Sequence, residues 1–93
     1  MNIRYRARAL ADLDDIFLYL NERSPTGARK VLHAIAAAID EIGGHPLASP
    51  RTSDVDIRVK ILGRYRYKIF YSVVGDEFVE IIHVRHAARR PWV

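Results

Sequence analysis

The sequence predicts an α+β domain of the order β-α-α-β-β-β, in which a helical hairpin packs on one face of an antiparallel sheet. Three observations favour this fold class. Apolar residues recur at helical spacing within residues 8–42, they alternate with polar residues within residues 55–86, and a short alternating stretch precedes both. Because the two helices are consecutive and three strands follow them, the helices are expected to share one face of the sheet.

The first predicted strand and the first predicted helix lie at the start of the chain. Residues 2–6 alternate between apolar and basic side chains, which is typical of a short, half-buried strand. Residues 8–23 then repeat apolar side chains every three or four positions, which predicts a helix with one buried stripe. The stripe consists of Leu10, Leu13, Phe17 and Leu20.

A second helix is predicted directly after the first, over residues 25–42. Ser24 suits the capping position, and Pro25 suits the first helical position, where no backbone N–H is needed. Gly43 and Gly44 end the helix. Its apolar stripe consists of Val31, Ile35, Ile39 and Ile42, beside an alanine-rich flank at Ala34, Ala36, Ala37 and Ala38. Two helices joined this tightly form an antiparallel hairpin.

Three strands are predicted after a polar loop over residues 45–54. They cover residues 55–62, 65–74 and 78–86. Gly63 allows the first turn between them, and Gly75 with Asp76 indicates the second.

The alternation also assigns side chains to the two faces of the sheet. The apolar residues at odd positions of residues 55–62 and 65–74 are expected to face the helices, together with Ile82 and Val84. The opposite face is then expected to be strongly basic. Its expected members are Arg4, Arg6, Arg58, Lys60, Arg66, Lys68 and Arg85, with Arg89, Arg90 and Trp92 at its C-terminal end.

The charge of the chain indicates an acidic partner. The net charge is +4 and the isoelectric point is about 9.8. Residues 1–50 hold six basic and six acidic side chains, whereas residues 51–93 hold nine basic and five acidic ones. A solvated polar face and a docking surface for phosphates or carboxylates both remain open, and the single sign of the charge favours the docking surface.

Length and composition exclude several classes of protein. Ninety-three residues suffice for one small domain, expected to span residues 1–93. No apolar run approaches the roughly 20 residues of a transmembrane helix, so no membrane association is expected. The absence of cysteine and of a signal-peptide pattern favours the cytoplasm. The four histidines lack the spacing of metal ligands, and no metal or cofactor is predicted.

His86 is the candidate for acid–base chemistry. It follows Val84 by two positions at the end of the last strand, and Arg89 and Arg90 come shortly after it. An imidazole there can exchange a proton while the arginines stabilise a phosphorane. It can also cap the strand by bonding a backbone carbonyl, which is the favoured alternative.

Three stretches resemble the RelE/ParE superfamily of toxins from type II toxin–antitoxin modules. The first is Y-x-x-x-A-x-x-D-L-x-x-I, from Tyr5 to Ile16; the second is G-R-Y-x-Y-x-I-F-Y, from Gly63 to Tyr71; the third is I-x-V-x-H-x-x-R, from Ile82 to Arg89. The resemblance covers the chain from its first strand to its end. It implies a cytoplasmic bacterial toxin, neutralised by an acidic antitoxin whose disordered segment folds onto it in a hetero-oligomeric complex.

Two activities divide this superfamily. RelE-like members cleave mRNA on the ribosome with basic residues and a general acid or base, and ParE-like members inhibit DNA gyrase. The RelE pattern transfers to Arg58, Lys60, Lys68 and Arg89, with His86 in place of the tyrosine that follows the last strand in that branch. Because this tyrosine is missing and the second and third stretches are closer to ParE, the resemblance implies a gyrase inhibitor with a ParD-like antitoxin. The alternative is a ribosome-dependent mRNA endonuclease.

Overall fold

The computed structural model describes residues 1–87, in which two helices cover one face of a four-stranded sheet. The elements are β1 (Asn2–Tyr5), α1 (Ala7–Arg23), α2 (Pro25–Gly44), β2 (Arg58–Leu62), β3 (Tyr67–Val74) and β4 (Phe78–His86). The predicted α+β class and the order of elements are confirmed. The helices lie within two residues of their predicted bounds, whereas β2 and β3 begin later than predicted because the chain turns through the residues before them.

The sheet is mixed, with the strand order β1-β4-β3-β2. The pairs β2–β3 and β3–β4 are antiparallel, but β1 runs parallel to β4. The prediction of a wholly antiparallel sheet was therefore wrong for this one pair. Alternation has the same period of two in parallel and antiparallel strands, and no hairpin joins β1 to β4 to force the antiparallel direction.

Ser24 both ends α1 and begins α2. Its backbone N–H donates to the carbonyl oxygen of Leu20 at 2.8 Å, and its hydroxyl accepts from the N–H of Gly27 at 3.0 Å. Pro25 occupies the first turn of α2, where its missing N–H costs no hydrogen bond. The predicted cap is confirmed, and it explains how a single residue suffices to reverse the chain between two helices.

The core lies between the helices and the inner side of the sheet. From α2 it contains the predicted stripe, and from the sheet it contains Tyr67, Ile69, Tyr71, Val79, Ile81 and Val84. From α1 it contains Ala9 and Ile16, whereas the predicted Leu10 and Phe17 are 54% and 41% exposed. The members of each pair, Ala9 with Ile16 and Leu10 with Phe17, are seven residues apart, so both pairs fit the helical period. The two pairs are offset by one residue, which places them about 100° apart around the helix axis. The spacing alone could not choose between them.

A β-bulge at Ile82 changes which residues of β4 face the core. Tyr71 pairs with Ile81, but its neighbour Phe70 pairs with His83, so Ile82 is the extra residue. The alternation shifts by one position at this point, and Ile81 and Val84 are buried. The prediction that Ile82 faces the core was wrong for this reason.

The carboxylate of Asp12 takes the place of a strand beside the end of β4. The pairing of β1 with β4 ends at Ile81, and Asp12 of α1 follows along the same edge. One oxygen of Asp12 accepts from the backbone N–H of Val84 at 2.9 Å and lies against Nδ1 of His83. The other oxygen accepts from Nε of Arg8 at 3.0 Å. These contacts fix both the rotation of α1 and the path of β4 after the bulge.

Asp12 is only 6% exposed, and it is the one buried charged residue within residues 1–87. We expect Asp12→Ala to lower the free energy of unfolding by about 3 kcal/mol, since it leaves the buried Val84 N–H without an acceptor. Asp12→Asn keeps an acceptor and should cost less. Urea denaturation followed by circular dichroism measures both. The control is Asp14→Ala on the exposed side of the same helix, which should change stability by less than about 0.5 kcal/mol; equal losses at the two positions would contradict this role of Asp12.

Candidate functional site

The side of the sheet away from the helices, called the open face, is defined by residues that alternate with buried ones. Lys68 and Phe70 lie between the buried Tyr67, Ile69 and Tyr71 of β3, so they point outward. Residues directly opposite each other on neighbouring strands share a face. The open face therefore also carries Val59 and Ile61 from β2, Glu80, His83 and Arg85 from β4, and Arg4 from β1.

Arg58 and Lys60 do not belong to the open face. Their partners on β3 are the buried Tyr71 and Ile69, so both basic side chains point to the helix side of the sheet. The guanidinium of Arg58 donates to the carbonyl oxygens of Leu47 at 3.3 Å and Ser49 at 2.7 Å. Lys60 Nζ lies 2.8 Å from a carboxylate oxygen of Glu41 on α2. The prediction that these two residues face outward was wrong.

The reversed orientation of β2 follows from its position at the edge of the sheet. At an edge the helix layer ends, and long basic side chains can run along apolar surface to reach water or polar groups at the margin. Arg58 and Lys60 do so, while Ile61 turns outward and is 58% exposed. Val55, which was expected to face the helices, precedes β2 and is 67% exposed. Alternation identifies two sets of residues, but it does not say which set meets the helices.

The other predicted basic residues within residues 1–87 differ in their local partners. The guanidinium of Arg4 lies 4.1 Å from the centre of the Phe78 ring, and Nε of Arg6 is 3.0 Å from Glu80. Arg66 lies in the turn before β3 with a positive φ of 61°, and its carbonyl accepts from the N–H of Ala87. Lys68 and Arg85 face each other across β3 and β4. The remaining predicted members, Arg89, Arg90 and Trp92, lie outside the described residues.

The candidates for RelE-type catalysis are not brought together. His86 lies opposite Tyr67 at the helix side of the sheet, and the two rings meet edge to face with 4.9 Å between their centres. Lys68 lies on the open face, whereas Arg58 and Lys60 lie on the helix side. Arg89 lies outside the described residues. The four described candidates are therefore divided between two sides of the sheet.

A groove between α2 and the end of β2, called the α2–β2 groove, is the second surface with a distinct character. It encloses about 870 Å³, and the small side chains of Ala34, Ala37 and Ala38 line its α2 wall. Its rim is basic, with Arg29, Lys30, His33, Lys60 and Arg64, against the single acid Glu41. Sequence reasoning missed this groove; the alanine-rich flank of α2 was the available signal.

The backbone of β2 is partly open along this groove. Because β2 is the last strand of the sheet, one of its sides has no neighbouring strand among residues 1–87 beyond the bridge between Arg51 and Arg58. The N–H of Val59 donates on that side to the carbonyl oxygen of Pro50 at 3.0 Å. Alternate residues of a strand bond in opposite directions, so Ile61 also turns its N–H and C=O to that side. An extended peptide can therefore pair with β2 at Ile61.

Residues 1–87 contain neither a metal-binding cluster nor a helix that could cross a membrane. Within this part of the chain, no three histidine, cysteine or acidic side chains lie close enough together to hold a metal ion. Neither α1 nor α2 combines the length and the apolar character that a membrane-crossing helix requires.

The ion pair at the groove rim has a measurable signature. The hydrogen bond from Lys60 lowers the pKa of Glu41 below its usual 4.5, and the charge of Lys60 adds to this effect. The stabilisation that Glu41 provides is present above the unfolded pKa and is lost as the pH falls through the folded value. We expect Lys60→Gln to raise the pKa of Glu41 toward 4.5, as measured by NMR titration of its side-chain carboxyl carbon. Lys30→Gln, also at the rim, is the control and should leave the pKa of Glu41 as it is. An unchanged pKa of Glu41 in Lys60→Gln would contradict the pairing.

Comparison with known proteins agrees with this architecture. A family model described as the ParE toxin of the type II toxin–antitoxin system parDE matches residues 3–91. The Y4kP protein of Sinorhizobium fredii, whose name calls it a toxin, is 33% identical over 85 residues, covering 91% of this chain and 86% of that protein. Toxin RelE2 of Caulobacter vibrioides is 29% identical over 82 residues, covering 88% and 90%.

A solved structure described as the chromosomal ParDE system from P. aeruginosa has the same fold. It superposes with a TM-score of 0.76 at 24% identity, over 92% of this chain and 95% of that one. The family model extends over nearly all of the sequence and includes both surfaces described above. The chain therefore belongs to the ParE toxin family of type II toxin–antitoxin systems.

Proposed function

We propose that this protein is a ParE-like toxin that arrests growth by inhibiting DNA gyrase and is neutralised by a ParD-like antitoxin. Membership of the ParE family supports this function, and so does the likeness to a chain of a ParDE system. The surplus of basic residues in the C-terminal half suits an acidic antitoxin. Gyrase acts in the bacterial cytoplasm, so this is the compartment that we propose for the toxin.

The separation of the RelE-type candidates is the observation that favours gyrase over RNA as the target of the toxin. A general acid or base must lie within hydrogen-bonding reach of the atoms whose charge the cations stabilise. His86 is opposite Tyr67, on the other side of the sheet from Lys68. Arg58 donates to backbone carbonyl oxygens and Lys60 pairs with Glu41, so neither cation is presented beside Lys68. This arrangement supports a toxin that binds its target without cleaving RNA.

We expect the purified protein to stop the ATP-dependent supercoiling of relaxed plasmid by gyrase and to leave mRNA intact in a translating extract. Both follow if the toxin acts by binding gyrase. Agarose gels of the plasmid and primer extension on the mRNA are the measurements. Prior addition of the cognate antitoxin is the control, and it should restore supercoiling.

The alternative is a ribosome-dependent mRNA endonuclease of the RelE kind. The similarity to the relative named Toxin RelE2 favours this alternative. Cleaved mRNA together with normal supercoiling would replace the gyrase proposal with this one. His86→Ala then separates chemistry from binding, because a nuclease that relies on His86 loses cleavage and keeps its affinity for the ribosome.

The α2–β2 groove is the surface that we propose for the antitoxin. Antitoxin segments of this kind are acidic and fold on binding, so they suit a basic rim that surrounds an apolar wall. Four cations of the rim face one acid, and that acid already pairs with Lys60. The open backbone at Ile61 supplies hydrogen bonds to an extended segment, as in other cases of strand addition. Charge complementarity and an unpaired strand edge thus support the same occupant.

Two neighbouring alanines of α2 provide a matched test. Ala37 lines the groove, whereas Ala36 is exposed on α2 but is not among the groove residues. We expect Ala37→Glu to weaken antitoxin binding about tenfold or more, because it sets a negative charge against an acidic segment. Ala36→Glu should leave the affinity unchanged, and both variants should keep their melting temperature. Isothermal titration calorimetry measures the affinity of each variant for the antitoxin. Equal affinities would contradict the proposal that the antitoxin binds in this groove.

A further inference from the structure

Lys60 and Glu41 form an ion pair across the α2–β2 groove. Nζ of Lys60 on β2 lies 2.8 Å from a carboxylate oxygen of Glu41 on α2, and both residues line the groove. The Lys60 side chain is 25% exposed and that of Glu41 is 67% exposed, so water reaches both partners. Because exposed ion pairs contribute little to stability, this pair can open at little cost to the fold.

Glu41 is poorly placed for the stability of α2 itself. It lies in the last turn of the helix, where the partial negative charge of the helix end disfavours an anion, and no basic residue of that turn offsets it. Among residues 1–87 it is the single acid that lines the groove. The hydrogen bond and the charge of Lys60 lower its pKa more than the charge of His45 does. Lys60 is therefore the partner that makes an acid favourable at this position.

An extended segment that pairs with β2 brings its own side chains beside Lys60. The N–H of Val59 is already bonded to the preceding loop, so the open edge of β2 begins at Ile61. Residues directly opposite each other on neighbouring strands share a face and lie about 5 Å apart at Cβ. Lys60 and Leu62 flank Ile61 and face the helix side, so the partner residues opposite them enter the groove. An acidic side chain opposite Lys60 therefore meets Nζ where Glu41 now lies.

The other cations of the rim differ from Lys60 in one respect. Arg29, Lys30 and Arg64 take part in none of the ion pairs within residues 1–87, whereas Lys60 does. The acids of a partner can meet those three cations directly. They reach Lys60 only by displacing Glu41.

We propose that Glu41 occupies Lys60 in the free toxin and that an acidic side chain of the antitoxin displaces it when the antitoxin pairs with β2. This inference rests on the proposed function, because it takes the α2–β2 groove as the antitoxin site. The partner segment accordingly places an aspartate or glutamate opposite Lys60 and an apolar residue opposite the exposed Ile61. A segment without this acid gains nothing at Lys60, since Glu41 stays in place. The pair thus favours the antitoxin over other extended segments.

Surface plasmon resonance with the full-length antitoxin of the same module tests the displacement. We expect Glu41→Gln to tighten binding about two- to fivefold, because no carboxylate of the toxin then competes for Lys60. Asp40→Asn removes the same charge from the neighbouring exposed position of α2, which does not line the groove, and should leave the affinity unchanged. Equal affinities of the two variants would overturn the displacement, because net charge alone would account for any gain. Weaker binding of Glu41→Gln would also overturn it, since Glu41 would then be a contact of the antitoxin.

Two further variants in the same assay separate the displacement from the location of the antitoxin. In the background of Lys60→Gln, the change Glu41→Gln should lose most of its effect, because the cation for which the carboxylates compete is absent. An undiminished gain without Lys60 would overturn the displacement. Ala37→Glu reports on the groove alone. Weaker binding of Ala37→Glu without a gain in Glu41→Gln overturns the displacement and keeps the groove as the antitoxin site, whereas unchanged binding of Ala37→Glu overturns both.

Discussion

The buried carboxylate of Asp12 is the interaction on which the arrangement of this fold depends. β1 is too short to accompany β4 to its end, so the backbone of β4 at Val84 needs another acceptor, and α1 supplies it. A carboxylate that replaces a strand must stay at one position, which fixes the rotation of α1 and leaves Leu10 and Phe17 outside the core. The same contact holds β4 just after its bulge, where the strand changes which residues it presents to each face.

The bulge and the edge position of β2 together sort the basic residues into two surfaces. On β2, the basic residues Arg58 and Lys60 turn to the helix side, where they hold the loop after α2 and Glu41. On β3 and β4, Lys68 and Arg85 remain on the open face, and none of the ion pairs within residues 1–87 involves either of them. A uniformly basic sheet would form one large basic surface. Here the α2–β2 groove, with the edge of β2, is separate from Lys68 and Arg85 on the open face. The two surfaces therefore differ in both position and character.

Catalysis on a scaffold of this kind depends on which side of the sheet its polar groups occupy. Catalysis requires an acid or base and cations around one reacting group, within a few ångströms. Here Tyr67 packs against His86 on the side away from Lys68, so the residues of 1–87 that match the RelE pattern in sequence are divided between the two sides of the sheet. Family resemblance identifies residues by their order along the chain, and the function depends on their distances.

The α+β class, the two helices with their shared cap at Ser24, and the buried stripe of α2 can be predicted from the amino-acid sequence, because they follow from local spacing and local hydrogen bonds. The parallel pairing of β1, the bulge at Ile82 and the side of the sheet that Arg58 and Lys60 face depend on tertiary contacts and could not be predicted from the sequence. Apolar and polar residues alternate with a period of two whichever direction a strand runs, whichever face its apolar residues occupy, and on both sides of a bulge. The alternation therefore cannot distinguish these arrangements. Contacts between distant residues, such as Asp12 with Val84, are what remove that ambiguity.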